Sequence, residues 1–298
     1  MTTISSVVPA RESGLKAFAK RHPLTVYFVL AFALMWMFVL PIMFSQRGLG
    51  IISLPEPLIE IFLLVATFSG PLPAALIVTT LLDGREGRRK LLRSMFQWRV
   101  GLGWYLVLLV GYPLIFLTGL SFYSGAQPWV ALIQNWPLLL SFYLPAAAFG
   151  IIFPSLGEEP GWRGFALPRL QQQYGPLLGT VILGIIHGLW HLPVYFIPGM
   201  ILEGPFDLTA VVANTGLLIA MTLIWTWFFN NTGQSIFFAM LVHGVSNAAS
   251  GFIPQLPLDV PADPWFSFKT GAAFALLLIV FTRGRLGYQK SRETEETR

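Results

Sequence analysis

The chain has 298 residues, 55% of them hydrophobic and only 11% charged. A soluble domain carries about 25% charged residues, so a water-soluble globular class is excluded and an all-α, multi-pass membrane protein is expected. Cysteine is absent, which removes disulfides, thiol nucleophiles, thiolate-bound metals and iron–sulfur clusters. The net charge of +5 lies beside the apolar runs and not on one soluble face, so nucleic acid is not an expected partner.

Residues 1–23 form a polar N-terminal tail. The first apolar run is long enough to span, so this start does not read as a cleavable signal peptide. A hydrocarbon core ~30 Å thick needs roughly 20 apolar residues per helix. On that measure about eight transmembrane helices are predicted, over 24–46, 57–82, 102–123, 137–157, 176–198, 208–229, 234–254 and 266–282. Together they make one domain over 24–282, followed by a polar tail over 283–298. The sixth and seventh runs are divided only by Asn230, Asn231, Thr232, Gly233 and Gln234.

The basic residues support the count of eight. Arg11, Lys16, Lys20 and Arg21 precede the first run. A predicted loop after the second run holds Arg85, Arg88, Arg89, Lys90, Arg93 and Arg99. Arg163 and Arg169 follow the fourth, and Arg283, Arg285, Lys290, Arg292 and Arg298 follow the eighth. With eight spans all of these fall on one side, and only Arg47 and Lys269 fall on the other. Lys and Arg concentrate in cytoplasmic loops, so both termini are expected in the cytoplasm. The basic run over 85–99 could also attract anionic lipid or an acidic segment of a substrate, although topology alone explains it.

Ionisable side chains near a bilayer centre cost ~2.5–3.5 kcal/mol or more and mark candidate functional sites. Three groups qualify. Glu158 and Glu159 end the fourth predicted span. Adjacent carboxylates repel, and repulsion with partial desolvation favours proton uptake by one of them, a route to a general base near neutral pH. Arg163 shares a helix face with Glu159, but Pro160 biases the preceding residue away from helix, so a break or kink is expected at Glu159. The competing reading is a charged membrane-boundary cluster. In the fifth span His187 and His191 lie four apart on one face, a spacing that serves a shared metal or one reactive and one packing histidine. In the seventh, His243 and Asn247 share a face and can both donate hydrogen bonds to an anionic oxygen, as an oxyanion hole requires. The alternative for Asn247 is interhelical hydrogen bonding. Trp162, Trp190, Trp225 and Trp227 read as interfacial-belt or packing residues, or as lining for a groove.

Glu158-Glu159-x-x-x-Arg163, then His191 in Gly-Leu-Trp-His-Leu-Pro, then His243-x-x-x-Asn247 resemble the CPBP family. That family comprises type II CAAX prenyl proteases, Abi proteins and bacteriocin-processing or immunity relatives. The resemblance covers 158–247 and says little about residues 1–130. It implies an intramembrane endopeptidase acting on a membrane-associated or lipidated protein or peptide. By the same resemblance Glu158 activates water, with His191 assisting, and Glu159 supports it. Arg163 orients or neutralises the glutamates, and His243 with Asn247 holds the oxyanion. No cofactor is required in this mechanism. His187 departs from the family, which often has Phe or another apolar residue there. A zinc site of Glu158, His187, His191 and His243 is therefore the alternative. The pattern His-Glu-x-x-His of zinc-binding helices is absent, since residues 188–190 are Gly, Leu and Trp. A transporter using the same groups as a relay, or a non-catalytic scaffold or immunity protein, are the other readings. The expected setting is an integral membrane protein, suited to a bacterial cytoplasmic membrane, with membrane lipids as partners.

Overall fold

The computed structural model describes residues 14–259, 263 and 265–289. Arg11, Lys290, Arg292 and Arg298 of the basic tails lie outside the described residues. Within them the chain is all helix and loop. After α1 (Gly14–Arg21), Pro23 opens α2 (Pro23–Phe44), a helix apolar on every side, which is the pattern of a lipid-embedded or deeply buried helix. The second apolar run becomes two helices, α3 (Glu56–Ser69) and α4 (Pro71–Ser94), bent by 42° where Ser69-Gly70-Pro71 interrupts them. Most of the basic run expected as a loop is instead helical, as far as Ser94, and only residues 95–99 are turn and loop. α4 breaks at Gly84, whose φ of 64° suits glycine, and resumes through Arg85–Ser94.

α5 (Leu102–Ser124) is a single long span, and α6 (Gln127–Gln134) follows. The fourth predicted run is not one helix to residue 157. It starts as a π-turn (Leu139–Tyr143), continues as α7 (Leu144–Ile152), and stops at Phe153, whose backbone is extended. The glutamates therefore sit on a separate short helix, α8 (Ser155–Gly161), which runs through a second π-turn (Trp162–Ala166) into α9 (Leu167–Tyr174). α10 (Pro176–Trp190) ends in a 3-10 turn (Leu192–Phe196). The next two helices carry side-chain caps. Asp207 accepts from the Thr209 N–H to open α11 (Leu208–Asn231), and Ser235 accepts from the Phe238 N–H to open α12 (Ile236–Phe252). α13 (Phe266–Thr282) closes the bundle.

All eight predicted runs thus yield helices, but among the described residues five are long, apolar and unbroken. Two more spans exist if each bent pair counts as one, the second pair being bent by 79° across residues 135–138. α13, at 17 residues, rises about 25 Å at 1.5 Å per residue, at the lower limit for a span. The class is a polytopic membrane bundle.

Two apolar clusters fill it. One joins Tyr112, Phe228, Val242 and Phe252, and the other joins Tyr27, Met35, Trp162 and Leu183. α12 contributes to both, so His243 lies at their seam. α12 crosses α7 glycine on glycine, and a Cβ added to Gly244 would come within 2.7 Å of the Gly150 backbone. Small residues permit such close approach in membrane bundles.

Candidate functional site

α8 is bedded deeply because its own residues let it. A Cβ at Gly157 would collide with the Thr67 carbonyl, and one at Gly161 with the Pro71 carbonyl. The helix lies against α3 and α4 with its two glutamates directed inward, Glu158 3% and Glu159 0% exposed. It does not end at Glu159. It passes through Pro160 and widens into π-geometry one turn later, a form that recurs at functional sites. Glu159 and Arg163 therefore do pair, with Arg163 Nη1–H donating to Glu159 Oε1 at 2.9 Å, both side chains buried.

The second donor to the same oxygen comes from α12, where His243 Nδ1 lies 2.9 Å from Glu159 Oε1. An ionised carboxylate only accepts, so Nδ1 carries the hydrogen and Nε2 is the ring's remaining polar atom. The Trp225 indole stacks on the His243 ring at 4.6 Å, and the Arg163 guanidinium lies 4.7 Å from the centre of that indole. Arg163 also reaches Thr222 at 3.4 Å.

Glu158 faces elsewhere. His187 Nε2 on α10 is 2.9 Å from Glu158 Oε2. His191, one turn beyond, uses Nδ1 to reach the His187 carbonyl at 3.0 Å, so that nitrogen is the protonated one and Nε2 is free to accept. Trp162 lies 5.1 Å from the His187 ring, and Trp190 lies 4.7 Å from His191. Trp162, Trp190 and Trp225 are buried and act as packing for the imidazoles, not as an interfacial belt. Trp190 and Trp36 further tie α2 to this turn by donating to the carbonyls of Ala31 and Trp190.

A cavity of about 210 Å³ collects the groups. Glu158, His187, His191, His243 and Asn247 all line it, with Tyr195 and Asn214 among the other walls. Glu159 and Arg163 do not; they stand behind the lining and hold it. Three of the four residues of the zinc alternative, Glu158, His187 and His191, bring one ligand atom each within 4.8 Å of one another, while His243 is outside that group. Sequence reasoning named Trp225 as a packing or groove residue without linking it to His243, and missed Thr222, Tyr195 and Asn214. Only the helical spacing of Trp225 and Thr222 on α11 hinted that they share a face, and nothing marked that face as the one meeting His243.

The fold and site define an integral membrane protein with one glutamate, three histidines and an amide around a cavity, backed by a second glutamate and an arginine. Residues 139–249 match the family described as Type II CAAX prenyl endopeptidase Rce1-like, a stretch that contains all three motifs, so the resemblance read from them stands there. CAAX prenyl protease 2 of Methanococcus maripaludis is 29% identical over 101 residues, 33% of this chain. The chain spans about 37% of that relative's length.

Proposed function

We propose that the chain is an intramembrane endopeptidase hydrolysing a peptide bond of a membrane-associated or lipidated protein or peptide. The observation that carries this reading is the convergence of Glu158, His191, His243 and Asn247 on one cavity from three separate helical segments. Glu158 Oε2 is oriented by the His187 Nε2–H, and its other oxygen takes a proton from water as that water's oxygen adds to the scissile carbonyl carbon. His191, through Nε2, assists in positioning the water. The carbonyl oxygen, now an anion, accepts from the Asn247 amide. His243, which lines the same cavity and is held by Glu159 through Nδ1, is the second partner of that oxygen. The proton on Glu158 then passes to the leaving amine as the C–N bond breaks. Arg163 and Glu159 act through His243 and touch no substrate.

The family matched over 139–249, and the relative's name, support the reaction class. The apolar helices that surround the cavity support a membrane-associated substrate. The basic residues support cytoplasmic termini, and a bacterial cytoplasmic membrane is the setting proposed. α1 packs on α4, Ser94 bonds the Gln234 carbonyl and Asn230 bonds the Leu286 carbonyl, so the basic segments gather at one end of the bundle. Arg47 and Lys269 are instead each paired with acids, Glu56 and Glu60 for the first and Asp263 for the second.

A zinc-dependent version of the same hydrolysis is favoured by one observation, the Glu158, His187 and His191 group. These would hold zinc as an open three-residue site, and the metal would supply an acidified water.

The test is cleavage of a membrane-anchored peptide, with and without a lipidated C-terminal cysteine, by reconstituted protein. Glu158→Gln is expected to lower the rate by about 10²–10⁴-fold while the unfolding midpoint stays near wild type. Wild-type cleavage by that variant, or no cleavage of any such peptide by the native chain, would falsify the reading and favour a scaffold or a transporter.

A further inference from the structure

The bundle holds a second cavity, away from Glu158. About 680 Å³ opens between the resumed half of α4, the π-turn after α8 and the turn before α12, and its rim holds Lys90, Arg93, Gln97, Arg169 and Gln234. Its frame is fixed by hydrogen bonds. Ser94 Oγ–H donates to the Gln234 carbonyl and accepts from the Ile236 N–H, each at 3.2 Å, and Ser235 Oγ–H donates to the Gln97 carbonyl. The floor is apolar, with Leu91, Phe229 and Ile236.

Two further observations point to its occupant. Arg47, Arg163, Arg169 and Lys269 each stand within 4.0 Å of a carboxylate. Lys90 and Arg93 reach the cavity with no ion-pair partner among the described residues, although Asp83 and Glu86 are also on its rim. Just beyond them Phe96 is 76% and Trp98 57% exposed, with the Arg99 guanidinium 5.1 Å from the Trp98 ring centre. Exposed aromatics beside cations settle at the headgroup level of a bilayer, which sets the mouth of the cavity where lipid phosphates lie. Lys and Arg in that zone attract anionic lipids.

We propose that this cavity binds the headgroup of an anionic phospholipid, with Lys90 and Arg93 on the phosphate and the Gln97 and Gln234 amides beside the polar headgroup. The site is independent of the hydrolytic reading and needs only the membrane setting.

Unfolding of detergent-purified full-length protein, followed as lipid is titrated, tests it. Short-chain phosphatidylglycerol is expected to raise the midpoint saturably, and short-chain phosphatidylcholine is not. In Lys90→Gln/Arg93→Gln the apparent affinity falls roughly 30-fold, about fivefold for each charge. Arg88→Gln/Arg89→Gln removes equal charge from the same helix, and is expected to weaken binding clearly less, because neither side chain lines the cavity. Equal loss in both double variants would overturn the site in favour of a diffuse basic surface. Equal stabilisation by phosphatidylcholine, or no saturable shift with wild-type protein, would overturn the anionic-lipid assignment. Full stabilisation by inorganic phosphate alone would overturn the lipid as source. Should the double variant be unstable without lipid, the single variants Lys90→Gln and Arg93→Gln carry the same comparison.

Discussion

The two glutamates of α8 are chemically identical neighbours, yet they face different parts of the molecule. Glu158 looks into the cavity, with one oxygen on His187 and the other available. Glu159 looks into protein, where one oxygen takes hydrogen bonds from both Arg163 and His243. Successive residues on a helix point about 100° apart, so a Glu-Glu pair on a buried helix serves two surfaces at once. One surface is built for chemistry and the other holds α12 and the π-turn in place. The difference explains how a site with so much buried charge persists: the carboxylate that is fully enclosed is the one that is paired.

The sharpest way to break this comparison is to remove each carboxylate in turn and measure stability. Glu159→Ala leaves the Arg163 guanidinium, itself 0% exposed, without its counter-charge, and is expected to destabilise the protein by about 3–5 kcal/mol. Glu158→Ala borders an existing cavity and is expected to cost about 1 kcal/mol. Denaturant titration in mixed micelles reads both, and equal losses would erase the distinction between the two faces.

The cavity side is sharpened through Asn247, which faces the cavity and is exposed there. Asn247→Ala is expected to lower kcat by about 10²–10³-fold, the usual cost of one oxyanion donor, with little change in KM or in the unfolding midpoint. An effect confined to KM would make Asn247 a substrate contact instead. The crossing that positions this residue is tested by Gly244→Ala. Its new Cβ meets the Gly150 backbone, and a loss of about 1–3 kcal/mol is expected from overpacking, visible as a lower unfolding midpoint. The smallest effect concerns metal. Under the glutamate mechanism, exhaustive chelation should change the cleavage rate less than about twofold, since no step then draws on a Lewis acid. A loss restored by zinc alone would select the metal-dependent version.

Much of this was legible in the sequence. Long apolar runs had to become helices because a bilayer leaves backbone groups no other partner. Four-residue spacing put Glu159 and Arg163 within pairing reach if the helix ran on through Pro160, and put His243 and Asn247 on one face. The ends of the elements were less legible. Hydropathy runs without interruption from Leu138 past Phe153, so the stop there and the separate α8 were hidden, as were the two π-turns, which leave no mark on an apolar pattern. The break expected at Glu159 does not occur, because tertiary packing of Gly157 and Gly161 against α3 and α4 holds the helix through Pro160 and the adjustment falls in the following turn. The basic segment looked like a loop by composition alone, yet a single glycine at 84 turns the chain and lets the helix continue.

Because the native chain has no cysteine, one thiol can report directly on whether these groups surround water. In reconstituted protein, Asn247→Cys is expected to react readily with a membrane-impermeant maleimide. Ala249→Cys, two residues along the same helix and 0% exposed, is expected to stay unlabelled. Rapid labelling at 247 with silence at 249 is the result this account predicts. A silent thiol at 247 in folded protein would contradict it, because the carboxylate, imidazoles and amide would then share no solvent in which to hydrolyse a peptide.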